Sequence, residues 1–183
     1  MGYIIISVIA VLIFLYVLTT YNSLVILRNK FQNQKSQIDI ELKRRFDLIP
    51  NLVETVKGYA NYEKTALADV IKARNSYVSA SDNTAQALEA DSALTGALTK
   101  LFALSESYPE LKANTNFISL QHDLSDIEQK IVYSRQFCND SVFKLNTKIE
   151  MFPSNIVANI FKFDKEAFFE AAELERENVK VDF

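Results

Sequence analysis

The sequence predicts an all-α protein in which an N-terminal transmembrane helix continues into the first long helix of an antiparallel up-down four-helix bundle. Residues 1–27 carry no charged side chain, so the chain begins with a strongly apolar segment. Glycine and proline each occur three times in 183 residues, too rarely for the turns of a many-stranded sheet. Beyond residue 27, apolar residues recur at heptad spacing, which approximates the period of an α-helix.

The apolar run from Tyr3 to Leu18 predicts a transmembrane anchor over residues 1–21. A bilayer core of about 30 Å needs about 20 apolar helical residues, and Thr19 to Tyr21 extend the run into the headgroup layer. A cleaved secretory signal would need a positive n-region and a small-residue cleavage site, which this run lacks. Met1-Gly2 begins a myristoylation-like string, but the apolar run follows at once. An uncleaved anchor is therefore the simpler interpretation.

Charges after the anchor predict the location of the protein. Arg28, Lys30 and Lys35 follow the span, so the positive-inside rule puts the bulk of the chain in the cytoplasm of a single-pass protein of the cell (inner) membrane. Three charges leave this orientation open. The net charge of −3 argues against a nucleic-acid partner, and the single Cys138 permits no internal disulfide.

After the anchor, heptads predict a four-helix bundle over residues 22–151. The first helix carries Leu24, Phe31 and Ile38 at intervals of seven and is predicted to end near Arg45, with a turn at Asp47 and Pro50. The second helix is predicted from Ile49 to Tyr77, and an Ala-rich third helix runs up to Tyr108. The fourth helix has the clearest register: Phe117, Leu124, Ile131, Cys138 and Leu145. Short connections favour antiparallel neighbours.

Residues 152–183 are predicted to form a Phe-rich helical tail, which contains six of the thirteen phenylalanines. Ser154 and Asp164 are suitable caps for two short helices. Four phenylalanines of the tail are candidate interaction residues: Phe161, Phe163, Phe168 and Phe169. Two interpretations stay open, since such an aromatic surface either closes the bundle in cis or docks on a neighbouring subunit, a partner or the membrane surface.

Several segments resemble the LemA family, in order and along essentially the whole chain. They are Tyr21-Asn-Ser-Leu-Val, Gln37-Ile-Asp-Ile-Glu-Leu-Lys-Arg-Arg-Phe-Asp-Leu-Ile-Pro-Asn-Leu-Val-Glu-Thr-Val-Lys-Gly-Tyr59, Ala73-Arg-Asn75, Tyr108-Pro-Glu-Leu-Lys-Ala-Asn114 and Phe152-Pro-Ser-Asn-Ile-Val-Ala158. The Arg-Arg-Phe-Asp-Leu-Ile-Pro-Asn-Leu-Val block is quite specific. The resemblance implies a prokaryotic membrane-anchored helical bundle without known enzymatic activity, and it supplies no mechanism.

The residue inventory favours no catalytic or metal site. A di-iron bundle needs two Glu-x-x-His pairs, whereas the chain has one histidine, His122, preceded at the required spacing by Ser119. His122 is expected at the surface or at a helix cap. Cys138 lies 16 residues from His122, or about 24 Å along a helix, and falls in the core stripe, so the two cannot form a dyad. We expect no cofactor and no metal.

The triplet Lys43-Arg44-Arg45 is the most suggestive charge cluster, and two interpretations are open. Cations at the end of a helix stabilise it by offsetting the dipole. Alternatively, the triplet contacts an acidic partner or a neighbouring subunit, together with Asp47, Asn51 and Glu54.

The expected function is that of a non-enzymatic membrane-anchored scaffold or assembly protein, which self-associates as a homo-oligomer and presents an interaction platform at the bilayer. Polar residues in the heptad stripes, namely Gln34, Glu63 and Arg74, support this function because they would set the register of the helices or pair with another chain. The alternative is an adaptor or regulatory subunit of an integral-membrane enzyme such as a protease, with specificity in the Phe-rich tail. A hydrolase or metal enzyme is the third and least supported hypothesis.

Overall fold

The structure, a computed structural model, describes residues 1–59, 64–80 and 84–169, with the side chains of Lys64, Thr84 and Ala85 left out of the description. Every regular element in this part of the chain is a helix, which confirms the all-α class. The helices are α1 (Gly2–Lys57), α2 (Lys64–Ser79), α3 (Thr84–Ser105), α4 (Pro109–Lys112), α5 (Thr115–Glu150) and α6 (Ser154–Ile160). The antiparallel up-down bundle stays a prediction, as do the boundaries at residues 21 and 151.

The described chain forms two compact units. Unit 1 contains Met1–Asp39 and Ile131–Phe169. Its core joins the first helix to α5 and α6 through Leu24, Leu145, Ile149, Ala158 and Phe163. The predicted heptad positions Leu24, Phe31 and Ile38 are all buried, as are Ile131, Cys138 and Leu145. The heptad register predicted for this unit is therefore confirmed.

Unit 2 contains Ile40–Lys130, and its described helices meet through apolar side chains. The rings of Phe46 and Tyr77 stack at 4.0 Å, joining α1 to α2. The rings of Phe102 and Phe117 meet edge-on at 6.1 Å, joining α3 to α5. Helices α2 and α3 also pack on each other. The C-terminal part of α1, α2, α3 and the start of α5 thus share one core.

The turn predicted at Asp47 and Pro50 is wrong, because α1 continues through Pro50 to Lys57. A proline inside a helix removes one hydrogen bond to the carbonyl four residues earlier, here that of Phe46. The side chain of Arg74 on α2 donates to this carbonyl instead. The helix therefore tolerates Pro50 because a tertiary contact replaces the lost donor.

The predicted second helix is also wrong in its extent. Residues 49–57 belong to α1, a turn follows at Gly58 and Tyr59, and α2 begins at Lys64. Heptad spacing does not reveal this break, because the apolar positions after it continue at the same interval of seven residues. Glu63, a predicted polar stripe position, lies outside the described residues, while Gln34 and Arg74 are half-buried.

The fourth helix agrees with the prediction, whereas the third ends before Tyr108, its predicted last buried position, which is half-buried in the loop that follows. Helix α3 ends at Ser105, and Pro109 occupies the first turn of the short α4, where its missing N–H costs nothing. Helix α5 contains the whole predicted register from Phe117 to Leu145. Of the residues in that register, Phe117, Leu124, Ile131, Cys138 and Leu145 are all buried.

The tail is helical in one of its two predicted segments. Helix α6 forms, but its N-cap is Pro153, and the hydroxyl of Ser154 donates instead to the carbonyls of Lys148 and Met151. Asp164 does not cap a helix, because residues 163–169 are irregular. Residues 170–183 of the predicted tail lie outside the described part.

Candidate functional site

Arg45 is the centre of a buried ion network in unit 2, which we define as Arg45, Asp91, Thr95 and Glu128. Its Nη1 donates to Asp91 Oδ1 at 2.8 Å and lies 2.8 Å from Glu128 Oε2, and its Nη2 donates to Thr95 Oγ1 at 2.9 Å. The contact with Glu128 is an ion pair without an aligned hydrogen bond. One guanidinium therefore links α1 to α3 and α5.

The burial of Arg45 determines what this network can do. Its side chain is 2% exposed, and that of Asp91 is 4% exposed. A charge removed from water is tolerated only where opposite charges and hydrogen bonds surround it. Nε of Arg45 nevertheless has no hydrogen-bond partner among the described residues. The network is suited to fixing the register of three helices rather than to binding a large ligand.

The structure separates the predicted basic triplet. Arg45 points into unit 2, whereas Lys43 and Arg44 are exposed, and Arg44 pairs with the buried Glu41 at 3.3 Å. The interpretation of the triplet as the cationic end of a helix is wrong, because α1 continues for twelve residues beyond Arg45, to Lys57. The signal that Arg45 is internal is its place in the heptad frame of Ile38, Leu42 and Ile49.

Three of the other predicted contact residues share the surface side of α1 with Lys43. Asp47, Asn51 and Glu54 are all exposed. Lys43, Asp47 and Glu54 follow the i, i+4, i+11 spacing of a single helix face. Glu54 forms an exposed ion pair of 3.5 Å with Lys57. This face carries both signs of charge and is accessible in unit 2.

A second polar arrangement, which we call the asparagine clasp, lies in unit 1 and consists of Asn139 and Asn146. The Asn139 amide donates to the carbonyl of Phe169 at 2.9 Å and accepts from the Phe169 N–H at 2.8 Å. The Asn146 amide makes the same pair of bonds with Glu166, at 2.8 and 3.0 Å. Each side chain therefore satisfies both backbone groups of one tail residue.

The spacing of the clasp explains why it holds an extended segment. Seven helical residues rise about 10.5 Å, and three extended residues span about 10 Å. Asn139 and Asn146 are therefore as far apart on α5 as Phe169 and Glu166 are along the tail, with the tail running opposite to the helix. Lys165 adds an exposed ion pair with Glu150 at 2.6 Å.

The turn after α6 reverses the chain, so that the tail runs back along α5 to the clasp. The N–H groups of Phe163 and Lys162 donate to the carbonyls of Ala158 and Asn159, and Lys162 takes the left-handed conformation with φ 54°. This is the Schellman pattern that ends many helices, with its apolar contact made here by Phe163 and Ala158. Phe163 is thereby buried, and the chain returns along α5.

The four predicted tail phenylalanines have different environments. Phe163 is a core residue of unit 1, which supports packing of the tail in cis up to residue 169. Phe161 and Phe168 are exposed, and Phe169 is half-buried beside the clasp. Phe161 and Phe163 both contact the ring of Tyr21, at 4.7 and 5.9 Å between centroids. Phe163 also lies under the Arg28 guanidinium, 5.1 Å from its ring centroid.

Sequence reasoning missed Asp91, Thr95 and Glu128 of the ion network and both residues of the clasp. Asp91 had a usable signal, because it falls in the apolar stripe of Leu94, Leu98 and Leu101, where a carboxylate needs a buried cation. Asn139 and Asn146 had a weaker sequence signal: they are seven residues apart and lie next to the apolar stripe of α5, so they share one helix face. Their tail partners could not be found from spacing alone.

In the described part of the chain, no group of three or more His, Cys, Asp or Glu residues could hold a metal ion. His122 is exposed, as predicted, and its Nδ1 lies 3.5 Å from Asp126 Oδ2. Cys138 is buried, also as predicted, and burial raises the pKa of its thiol above the ordinary 9.0. A protonated, buried thiol is a poor nucleophile.

A shallow depression of about 890 Å³ lies between α2 and α3 in unit 2. Small side chains line most of it, including Ala68, Ser76 and Ala93, and its charged lining residues are Lys72 and Glu89.

These features define an all-helical protein whose N-terminal helix is long and apolar enough to cross a membrane. The chain belongs to the LemA family, whose profile matches residues 34–183. The resemblance seen in the sequence is thereby confirmed.

Relatives agree with this membership. The chain is 28% identical to Protein LemA of Metamycoplasma hominis over 155 residues, which cover 83% of this chain and 69% of the relative. It is 24% identical to Magnetosome protein MamQ 2 of Paramagnetospirillum magneticum over 192 residues, covering 91% of this chain and 71% of the relative. Magnetosome protein MamQ of Magnetospirillum gryphiswaldense is also 24% identical, over 190 residues, with 90% and 70% covered. None of these names denotes an enzyme.

Proposed function

We propose that this protein is a non-enzymatic, membrane-anchored helical scaffold that self-associates and presents an interaction platform at the cytoplasmic face of the cell membrane. The observation that carries the proposal is α1 itself. One unbroken helix holds the exposed apolar residues 3–16 at its start and the buried Arg45 near its end. The segment suited to a bilayer is therefore built directly into the packed helices, with no linker in between.

The hydroxyl groups of Ser7 and Thr19 in the apolar part of α1 are also compatible with a bilayer, because they are hydrogen-bonded within the helix. Ser7 donates to the carbonyl of Tyr3 at 2.8 Å, and Thr19 donates to that of Leu15 at 3.0 Å. Within lipid, hydroxyl groups need such internal partners because no water is present to bind them. The relatives named as magnetosome proteins support a membrane setting for this chain too.

Self-association is proposed through an exposed surface on α5 that we call the α5 patch, consisting of Val132, Tyr133, Phe137 and Phe143. All four side chains are more than half exposed, and Tyr133 and Phe137 are adjacent on one helix face. Val132 and Phe143 lie on an adjoining face of the same helix, and large exposed apolar groups favour contact with another protein. A second copy of the chain would cover them.

The anchor is tested by washing native membranes with carbonate at high pH. We expect the intact chain to remain in the membrane pellet and to be released by detergent. Release by carbonate alone would overturn the proposal.

Oligomeric state is tested by mass photometry and chemical crosslinking in mild detergent. Val132→Glu and Val78→Glu form a matched pair, because these valines are 54% and 56% exposed and lie on different helices. We expect Val132→Glu and Phe137→Glu to shift the particles towards monomers and Val78→Glu to leave the distribution unchanged. A strictly monomeric unsubstituted protein would contradict self-association.

The alternative function, an adaptor for an integral-membrane enzyme, is favoured by the exposed ring of Phe168 beside the clasp. Deleting residues 152–183 is a poor test, because it also removes Val157, Ala158 and Phe163 from the core. Phe168→Ser leaves that core intact. Loss of a co-purifying membrane enzyme in this variant, with unchanged helicity, would support the adaptor function.

A further inference from the structure

We infer that the turn between α5 and α6 is a second membrane-binding element, which inserts its apolar side chains into the lipid interface beside the anchor. We call this surface the α6 turn surface, and it consists of Met151, Phe152, Ile156, Ile160 and Phe161. This inference deepens the proposed function and rests on its membrane span.

The composition of the turn is the first argument. Residues 151–161 contain no charged side chain, although 23% of the whole chain is charged. The five side chains of the α6 turn surface are exposed, while Val157 and Ala158 on the other side of α6 are buried in unit 1. The short helix therefore has one face for the core and one exposed apolar face, on which the ring of Phe161 contacts that of Tyr21.

The position of the turn is the second argument. The ring of Phe161 lies 4.7 Å from that of Tyr21, the last residue of the predicted anchor. Burial of α1 also begins at this level, since residues 3–16 are exposed and Thr20 is buried. If α1 spans a bilayer, Tyr21 lies in the headgroup layer, and its contact places Phe161 at the same depth.

The flanking charges are the third argument. Lys148 precedes the turn and Lys162 follows it, while Lys165 is paired with Glu150 and Asp164 lies nearby. Lysine stems can lie along an apolar boundary while the ammonium groups reach the phosphate layer. An apolar surface with aromatic rings and lysines at its rim has the composition of interfacial membrane elements.

A second copy of the chain is a weaker occupant for this surface. Continuity with the lipid-facing part of α1 favours the bilayer, because the same lipid would cover both surfaces. Fluorescence quenching can tell a lipid contact from a contact with a second copy, because only a lipid contact brings the turn within reach of a quencher attached to an acyl chain.

The test uses the full chain in phosphatidylethanolamine and phosphatidylglycerol vesicles. Single cysteines for an environment-sensitive fluorophore are introduced into a Cys138→Ala background at Ile156, Ile118 and Leu12. Ile156 and Ile118 form a matched pair, because they are 51% and 50% exposed. Leu12 reports on the span, and circular dichroism checks that each variant is folded.

Nitroxide lipids labelled near the headgroup should quench the probe in Ile156→Cys several-fold more than the probe in Ile118→Cys. Equal quenching at both positions would overturn the inference, as would a blue-shifted but unquenched probe at position 156, which would show a protein contact instead. Nitroxides deep in the bilayer should quench the probe in Leu12→Cys. Failure at position 12 would overturn the proposed anchor, whereas quenching at position 12 without quenching at position 156 would overturn only the second element.

Discussion

The Nε of Arg74 donates a hydrogen bond of 3.4 Å to the carbonyl oxygen of Phe46, the group that Pro50 leaves without its helical donor. The ring of Phe46 is held at the same place by stacking on Tyr77, 4.0 Å away. A side chain of helix α2 therefore replaces the backbone hydrogen bond that Pro50 removes from α1.

Replacement of Arg74 should destabilise the protein in a way that depends on Pro50. Arg74→Gln should lower the free energy of unfolding by about 1 kcal/mol, because the Phe46 carbonyl loses its partner. In a Pro50→Ala background, the new N–H can bind that carbonyl, so the same substitution should cost less. Denaturant unfolding followed by circular dichroism measures both, with the exposed Lys72→Gln as control. Equal costs in the two backgrounds would show that Arg74 acts independently of Pro50.

Replacement of Arg45 should be far more costly than replacement of Lys43. Arg45→Met leaves Asp91 and Glu128 without their cation, and breaking a buried pair in this way costs about 3–5 kcal/mol. Lys43 is exposed, so Lys43→Met is the control and should change stability little. Denaturant midpoints in detergent compare the two. Similar midpoints would contradict a structural role for the ion network.

Replacement of the clasp should release the tail while leaving α5 folded. Each asparagine makes two hydrogen bonds at about 1 kcal/mol each, so their loss corresponds to roughly thirtyfold faster amide exchange. We expect this at Phe169 in Asn139→Leu and at Glu166 in Asn146→Leu, measured by hydrogen exchange. Asn116→Leu, an exposed position on the same helix, is the control. Unchanged exchange at Phe169 and Glu166 would exclude the clasp as the element that holds the tail.

Alkaline pH should weaken the protein through Cys138. Burial raises the pKa of this thiol in the folded state above its ordinary value of 9.0, so the folded protein holds the proton more tightly than the unfolded chain. The stabilising effect is complete below pH 9.0 and declines as the pH rises towards the folded-state pKa. Cys138→Ala should remove this part of the decline in unfolding free energy. An identical pH profile in the variant would rule the thiol out as its source.

The sequence determined the helical class, the apolar segment and the residues that face the core, because all three follow from patterns local to the chain. A side chain at every third or fourth position lies on one helix face whatever it packs against. Hence Leu24, Phe31 and Ile38 could be assigned to a core without knowledge of their partners. The run without charges up to Leu27 required no partner at all.

Tertiary structure decided the helix through Pro50, the burial of Arg45 and the course of the tail. Each of these depends on a residue far along the chain: Arg74 for Pro50, Asp91 for Arg45, and Asn139 for Phe169. Local sequence rules predict that a helix ends at proline, that an arginine is exposed to water and that Asp164 caps a helix. They fail here because a distant side chain supplies the hydrogen bond or the charge that the local chain lacks.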